Sequence, residues 1–217
     1  MVTETDLLQY ARAAEELCCA EFSSPNDRSR GTLLLYGLRP ECVLENADRR
    51  YDIYLQNGSD ALQLRLQIGH EVFHRICSQG RIFHWTHELL ACLFSVRMLR
   101  RQGFDAYAAQ TAREYQHEAQ ALPLAAFLTA DLWSLSTYPD GYYGRAYTTG
   151  LRLEEAVGWR SLRSLARAPL GPNGEPDISV WLATLSLPAR QQVDALLEQE
   201  ALRIGAPLLL RTASKWA

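Results

Sequence analysis

Two consecutive helical stretches near the middle of this 217-residue chain constrain its fold more than any other feature. From residue 61 to 78 apolar side chains recur at helical spacing, and Gly80, a residue type that often ends helices, follows. A second stretch begins at Thr86, a residue type that caps helix N-termini, and runs with basic residues in its last turn to Gly103. The pattern predicts a helical hairpin over residues 69–103.

The first helix of the hairpin carries the sequence HEVFH. His70 and His74 are four residues apart, so on a helix their imidazoles share one face and can both reach one ion. Glu71 stands beside them, where its carboxylate can take a proton from a water molecule that Zn²⁺ has made more acidic. HExxH is typical of zinc metallopeptidases. The alternative is a structural helix pair that carries histidines and binds no metal.

A catalytic zinc ion needs a third protein ligand, and several residues compete for that role. The longer motif HExxHxxGxxH is absent, because Cys77 and Gly80 occupy the positions of its glycine and third histidine. Glu88 is a candidate, since the turn of the hairpin would fold it back toward the first helix. An acidic residue there can also simply stabilise the helix dipole. His84 and His87 are rival ligands, or residues that support the ligands.

The segments around the hairpin predict an α+β fold that is mainly helical. Residues 4–22 have helical spacing, and three short apolar stretches separated by turn-forming residues follow them. These stretches, TLLLYG, ECVLEN and RYDIYLQNG, predict a small antiparallel sheet. Residues after the hairpin have a helical pattern, with Trp133, Trp159 and Trp181 expected in a core. We therefore expect two domains, 1–104 and 105–217, the second a helical region packed on the first.

Composition and charge exclude several classes of protein. The net charge is −3 and the chain has no basic run, so direct binding to nucleic acid is not expected. The N-terminus is acidic and amphipathic, unlike a signal peptide, and no apolar run is long enough to span a membrane. Five cysteines without CxxC spacing indicate reduced thiols and a cytoplasmic protein. The expected partner is a protein or peptide, and the oligomeric state is left open.

Two motifs together resemble the ImmA/IrrE-like zinc metallopeptidases. LQIGHEVFH contains the HExxH motif, and ELLACLFSVRML follows it. The family pattern continues after HExxH with a helix that begins E-x-x-A-N-x-F-A. Glu88, Ala91, Phe94 and Ser95 fall on that second pattern, whereas Cys92 stands in place of its asparagine. The sequence also has HEVFH where HELGH is usual, and the connection between the two helices is short.

This resemblance covers roughly residues 30–102 and implies a zincin-like unit. The unit would contain an N-terminal helix, a small antiparallel sheet, the HExxH helix and the Glu helix. His70, His74 and Glu88 would bind Zn²⁺ in a gluzincin-type site, with Glu71 as the general base. The implied activity is intracellular cleavage of a protein such as a regulator. The strand DIYLQ would be an edge strand that pairs with an extended substrate peptide.

Peptide hydrolysis also needs a donor to the oxyanion that forms, and YPDGYYGRAY contains the candidates. Tyr142, Tyr143, Arg145 and Tyr147 are predicted to lie in a glycine-containing loop, and Tyr143 is the residue we assign to this role. Aromatic residues beside proline and glycine also pack loops onto a core, and Arg145 suits a salt bridge or the capping of carbonyl groups. The competing function is a binding or regulatory module that keeps the zincin fold without catalysis.

Overall fold

The structure is a computed structural model that describes residues 2–23, 32–45, 50–78, 84–130, 138–169 and 176–201. The main elements in the described residues are helices and three strands, and the α+β, mainly helical class is confirmed. In chain order they are α1 Glu4–Phe22, β1 Thr32–Gly37, β2 Glu41–Glu45, β3 Arg50–Gln56, α2 Ala61–Phe73, α3 Trp85–Arg101, α4 Asp105–Glu118, α5 Leu124–Leu128, α6 Tyr142–Val157, α7 Trp159–Leu162, α8 Ile178–Ala183 and α9 Leu187–Ala201.

The three strands form a mixed sheet in the order β1-β3-β2. β1 pairs with β3 in parallel, Leu34 opposite Ile53, and β2 pairs with β3 in the antiparallel sense, Cys42 opposite Ile53. The prediction of a purely antiparallel sheet is therefore wrong. Turn signals between strands mark where each strand ends, but they do not reveal which strands become neighbours, because that depends on contacts between distant residues.

β3 is the central strand of this sheet, which corrects the expectation that DIYLQ forms an edge. Its main-chain groups are shared between ladders with β1 and β2, so it has no open side for a substrate peptide. Tyr51, Ile53 and Leu55 are almost completely buried, as a strand in the middle of a sheet requires. Within the described strands, the outer positions belong to β1 and β2.

Side-chain hydrogen bonds connect the end of β3 to helix α2. The Gln67 side chain accepts a hydrogen bond from the Gln56 backbone N–H at 3.0 Å and donates one to the Ser59 hydroxyl at 3.0 Å. Asp60 caps the helix, because its carboxylate accepts the N–H groups of Leu62 and Gln63 at 2.8 Å. These bonds set the position at which the HExxH helix leaves the sheet.

The chain divides into two compact units. One contains Met1–Phe83 and Leu90–Glu114, and the other contains His84–Leu89 and Tyr115–Ala217. Helix α3 runs without a break through both, since its first turn is assigned to the second unit and the rest to the first. The division into domains 1–104 and 105–217, each folding independently, stays a prediction.

The second unit is helical, as the sequence predicts. Helix α6 contacts α9, and Leu153, Val193 and Leu197 are buried there. Trp181 is also buried, and its indole N–H donates to the Ser161 carbonyl at 3.0 Å. Trp159 is half-buried, whereas Trp133 lies outside the described residues. Among the helices that the structure describes, none combines the length and the apolar character needed to cross a membrane.

Gly144 marks a close approach of α6 to the chain that precedes it. A Cβ atom at this position would lie 2.6 Å from the Ala119 backbone nitrogen and would also meet the Tyr115 carbonyl oxygen. Backbone atoms cannot move aside without displacing the segment, so we expect Gly144→Ala to destabilise the protein by about 2–4 kcal/mol, at or above the usual cost of overpacking. Denaturant unfolding would measure this change.

The matched control for Gly144→Ala is Gly69→Ala. A Cβ atom at Gly69 would lie 2.6 Å from Cε of Met98, the far end of a flexible side chain that can turn away. Since alanine also favours the helix over glycine, we expect a net change within about 1 kcal/mol. Equal losses of stability in the two variants would contradict the distinction between backbone and side-chain neighbours.

Candidate metal centre

The HExxH residues lie where helix α2 changes its hydrogen-bonding pattern. His70 and Glu71 are in the last turn of α2, and His74 opens a π-helical segment, His74–Ser78, that continues the helix. The predicted helix over residues 61–78 is therefore present, with a widened last turn. Such π-helical turns often occur at functional sites. Gly80, the predicted cap, lies outside the described residues.

The two histidines converge as the four-residue spacing predicts. Nε2 of His70 lies 3.1 Å from Nε2 of His74, and the ring centroids are 4.8 Å apart. His70 is 8% exposed and His74 is 2% exposed. Their coordinating nitrogens therefore face each other in a nearly dry environment, where a shared cation would stabilise both.

Glu88 joins the two histidines. The candidate ligand atoms of His70, His74 and Glu88 all lie within 4.8 Å of one another, and Glu88 is only 1% exposed. Among the residues that the structure describes, these three side chains form a group that could hold a metal ion. The sequence-predicted ligand set is thus brought together, and it does not include the rivals His84 and His87.

The donor set and spacing fit a divalent ion such as Zn²⁺. Two imidazole nitrogens and one carboxylate oxygen are common zinc ligands, with bonds of about 2.0–2.2 Å. Neighbouring ligands of a tetrahedral ion are then roughly 3.3 Å apart, close to the 3.1 Å between the imidazole nitrogens. A separation near the 4.8 Å limit would have to shorten on binding. A buried carboxylate beside two imidazoles is also costly unless a positive charge compensates it.

Packing of aromatic side chains holds the helices that carry these residues. Phe73 precedes His74 and packs edge-on against Phe22 of α1, with ring centroids 5.0 Å apart. Phe94 of α3 lies 6.4 Å from Phe73 and 5.8 Å from Phe22 by the same measure. Glu88 is less than two turns before Phe94 on the same helix.

Arg75 secures the π-helical segment on its other side. Its side chain is only 4% exposed, and Nη1 donates to Oε1 of Glu15 on α1 at 2.6 Å. The guanidinium also lies 5.6 Å from the centre of the Tyr51 ring on β3. Removing one partner of a buried ion pair leaves the other charge uncompensated, so this pair is a structural constraint on the residue next to His74.

His84 caps the N-terminus of α3, a role predicted for Thr86. Helix α3 begins at Trp85, and the His84 carbonyl accepts the backbone N–H groups of His87 and Glu88. Nδ1 of His84 accepts the Thr86 N–H at 3.3 Å and lies 2.8 Å from the Thr86 hydroxyl. The prediction that Thr86 caps the helix is therefore wrong, because the histidine side chain occupies the capping position. Burial, with a contribution from the nearby His87, lowers the pKa of His84 to about 3.

Glu71 lies near the outer strand β2. The residue is 3% exposed. The pKa of Cys42 on β2 is raised well above its usual value, first by burial and then by the negative charge of Glu71. The candidate general base and the middle of β2 thus share one low-dielectric environment.

Comparison with known proteins identifies no relative. No protein-family model, no curated protein and no solved structure matches this chain. The resemblance to ImmA/IrrE-like metallopeptidases therefore stays a prediction that rests on the two motifs.

Cys92, which stands where the ImmA/IrrE-like pattern has asparagine, is close to the proposed ligand His70. Its Sγ lies 3.9 Å from Nδ1 of His70, the ring nitrogen that does not face His74. Residues in this position usually orient a metal-binding imidazole. A thiol is a weaker hydrogen-bonding group than an amide, so Cys92 would orient His70 less firmly than asparagine.

The tyrosine candidates lie on a helix, which corrects the loop prediction. Gly141, with φ of +77°, allows α6 to start at Tyr142, and Arg145 donates to the carbonyls of Leu122 at 2.6 Å and Ala119 at 2.5 Å. Arg145 thus caps carbonyl groups, which was one of the two predicted roles, the other being a salt bridge. The remaining candidates are Tyr142 and Tyr147, which are buried, and Tyr143, which is half-buried.

Tyr138 is the functional candidate that sequence reasoning missed. Its hydroxyl lies 3.5 Å from Oε1 of Glu88, and its ring stacks on Tyr142 with centroids 4.9 Å apart. Tyr143 packs edge-on against Tyr138 at 5.2 Å. The sequence shows a tyrosine directly before Pro-Asp-Gly. The direction in which this side chain points depends on where the fold places the turn, which the sequence does not show.

Proposed function

We propose that this protein is a zinc-dependent peptidase of the ImmA/IrrE-like type, with a zincin-like unit that cleaves a protein inside the cell. The observation that carries the proposal is the convergence of His70, His74 and Glu88, three buried residues whose ligand atoms lie within 4.8 Å. Two imidazoles and one carboxylate make up a three-ligand set, which catalytic zinc sites use because it keeps one coordination position for water or substrate.

The chemistry follows from the residues around this set. When bound, Zn²⁺ supplies positive charge that polarises a carbonyl group and increases the acidity of water. Glu71 accepts the proton of the attacking water and later delivers it to the leaving amine. Glu71 is almost completely buried, so bulk water is largely excluded from around the proposed base.

Substrate binding would use β2 rather than β3. β2 has β3 on one side only among the described strands, and Cys42 on β2 is close enough to Glu71 for the glutamate charge to affect its pKa. An extended peptide could pair with the outer side of β2 through main-chain hydrogen bonds. The carbonyl to be cleaved would then pass near Glu71.

A tyrosine hydroxyl is proposed as the donor to the oxyanion. Tyr143 remains the residue predicted from the sequence, and Tyr138 is the stronger candidate because its hydroxyl reaches the proposed ligand Glu88. A donor in this position stabilises negative charge that develops only in the transition state. Tyr138→Phe and Tyr143→Phe would separate the two assignments by their effect on kcat.

A cleavage assay with a defined peptide library tests the proposal. We expect the zinc-loaded protein to produce new peptide termini, and 1,10-phenanthroline, which chelates zinc, to abolish them. The non-chelating isomer 1,7-phenanthroline is the matched control. If a fully zinc-loaded protein cleaves neither the library nor any protein in an extract of its own cells, the peptidase proposal is wrong.

The second candidate is a non-catalytic metal-binding module with the same fold. The observation in its favour is burial, because the three proposed ligands are 8%, 2% and 1% exposed. Structural metal sites are closed, whereas catalytic sites need access for a substrate. This candidate predicts full zinc occupancy with no cleavage, and a cellular function that does not depend on Glu71.

A further inference from the structure

Two cysteines far apart in the sequence lie close together next to the metal-site helix. Sγ of Cys18 on α1 is 4.0 Å from Sγ of Cys77, and 59 positions separate the two residues. Neither forms a disulfide. Cys77 belongs to the π-helical segment that begins with the proposed ligand His74. Folding thus brings together two thiols that do not belong to a CxxC motif.

We propose that Cys18 and Cys77 form a reversible disulfide when a peroxide oxidises the protein, and that this bond weakens metal binding at His74. The formation of the disulfide is independent of the function proposed above. The effect on the metal rests on it, because it requires His74 to be a zinc ligand.

Exposure determines which sulfur reacts first. Cys77 is partly exposed, whereas Cys18 is completely buried. Burial, followed by interactions with Cys77, raises the pKa of the Cys18 thiol well above its usual value, so this thiol stays protonated. Since peroxides react with the thiolate of an accessible cysteine, Cys77 is the initial target.

The chemistry balances with hydrogen peroxide as the oxidant. The Cys77 thiolate attacks one peroxide oxygen, the O–O bond breaks, and the other oxygen takes up protons to leave as water. This step produces a sulfenic acid at Cys77. The Cys18 sulfur then attacks the Cys77 sulfur, the S–O bond breaks, and a second water molecule leaves with the Cys18 proton. Two thiols are oxidised by two electrons, and one peroxide is reduced to two water molecules.

We expect the closing of the bond to move the π-helical segment. A disulfide has an S–S distance of about 2.05 Å, so the two sulfurs must approach each other by roughly 2 Å. Cys18 lies within a 19-residue helix, while Cys77 lies in the five-residue π-helical segment, whose hydrogen bonds are less regular. His74 is three residues before Cys77, so displacement of this segment reaches the ligand.

The other cysteines differ from this pair. Cys42 and Cys92 are buried, and Cys92 contacts His70. Cys19 neighbours Cys18 and is partly exposed, which makes it the rival for pairing with Cys77. Cys19→Ser is therefore the control that distinguishes the two pairings.

Peptide mass spectrometry without reduction tests the disulfide in the full chain. After treatment with hydrogen peroxide and tryptic digestion, we expect residues 13–28 linked to residues 76–81, with a mass two hydrogens below the sum of the separate peptides. The first peptide contains both Cys18 and Cys19. The link should persist in Cys19→Ser, disappear in Cys77→Ser, and be reversed by dithiothreitol. Absence of the link in the wild type, or its loss in Cys19→Ser, would overturn the proposal.

Zinc release to a chromophoric indicator tests the consequence for the metal. In zinc-loaded protein we expect peroxide to accelerate release by about tenfold or more, the scale seen when a residue supporting a ligand is disturbed. Cys77→Ser, which keeps the size of the side chain, should release zinc at the untreated rate. A disulfide that forms without faster release overturns the coupling. Protein that binds no zinc even when reduced contradicts both the coupling and the proposed function, while the mass measurement still decides whether the disulfide forms.

Discussion

Replacing Glu71 with glutamine is expected to abolish most of the proposed peptidase activity while leaving zinc in place. Glutamine has nearly the same size and fits the buried position, but it cannot accept a proton. Loss of a general base typically reduces turnover by about 10²–10⁴-fold, and we expect kcat/KM of Glu71→Gln to fall in that range. The measurement is kcat/KM on a peptide that the wild type cleaves, with zinc content determined on the same sample.

The control for this variant is Glu16→Gln, the same chemical change at an exposed position of α1. It should leave both activity and zinc content unchanged. Wild-type activity in Glu71→Gln would exclude Glu71 as the base. Loss of zinc in this variant would mean that Glu71 holds the metal rather than the reacting water.

Replacing His74 with alanine is expected to remove a direct zinc ligand and lower the affinity for zinc by more than about 100-fold, beyond the cost of losing a supporting residue. The reason is geometric, because Nε2 of His74 faces Nε2 of His70 at 3.1 Å and no other histidine joins this group in the described residues. Glu88→Ala should have an effect of the same order. Competition with a chromophoric chelator at fixed pH would measure each affinity.

His87→Ala is the matched control for His74→Ala. His87 is also buried, at 4% exposure, but it is not part of the ligand group. Its replacement should cost some folding stability and keep the zinc affinity within about tenfold of the wild type. An equal loss of zinc in both variants would show that the binding responds to general disruption of the fold.

The local part of the site could be predicted from the sequence. The spacing of His70 and His74 determines that both imidazoles share a helix face, whatever surrounds the helix. Glu88 needed one more assumption, a turn that reverses the chain, and the pattern of helix ends supported it. The first helix was predicted at the residues where it occurs, Glu4–Phe22, because its apolar spacing is regular.

The errors about the sheet depend on contacts between distant segments. The strand β3 has the length and composition of either an edge or a central strand, and only its pairing with both β1 and β2 decides between them. The error about Tyr142 and its neighbours has a local cause, because proline and glycine precede them and favour a loop. The positive φ of Gly141 instead starts a helix there.

The role of His84 could not be predicted for a different reason. Serine and threonine are the usual side chains at a helix N-cap, so Thr86 was the residue that statistics favoured. An imidazole can accept the same hydrogen bond when its Nδ1 is unprotonated, and burial keeps the pKa of His84 low enough for that. The sequence contains no sign of this burial.

The most direct test of the account is the metal content of the wild-type protein, purified without chelators or affinity resins that carry metal. Inductively coupled plasma mass spectrometry should find about one zinc ion per chain, as expected for the group of three ligands found in the described residues. Protein that contains no zinc, and takes up none when zinc is added, would contradict the central claim that His70, His74 and Glu88 form a metal centre.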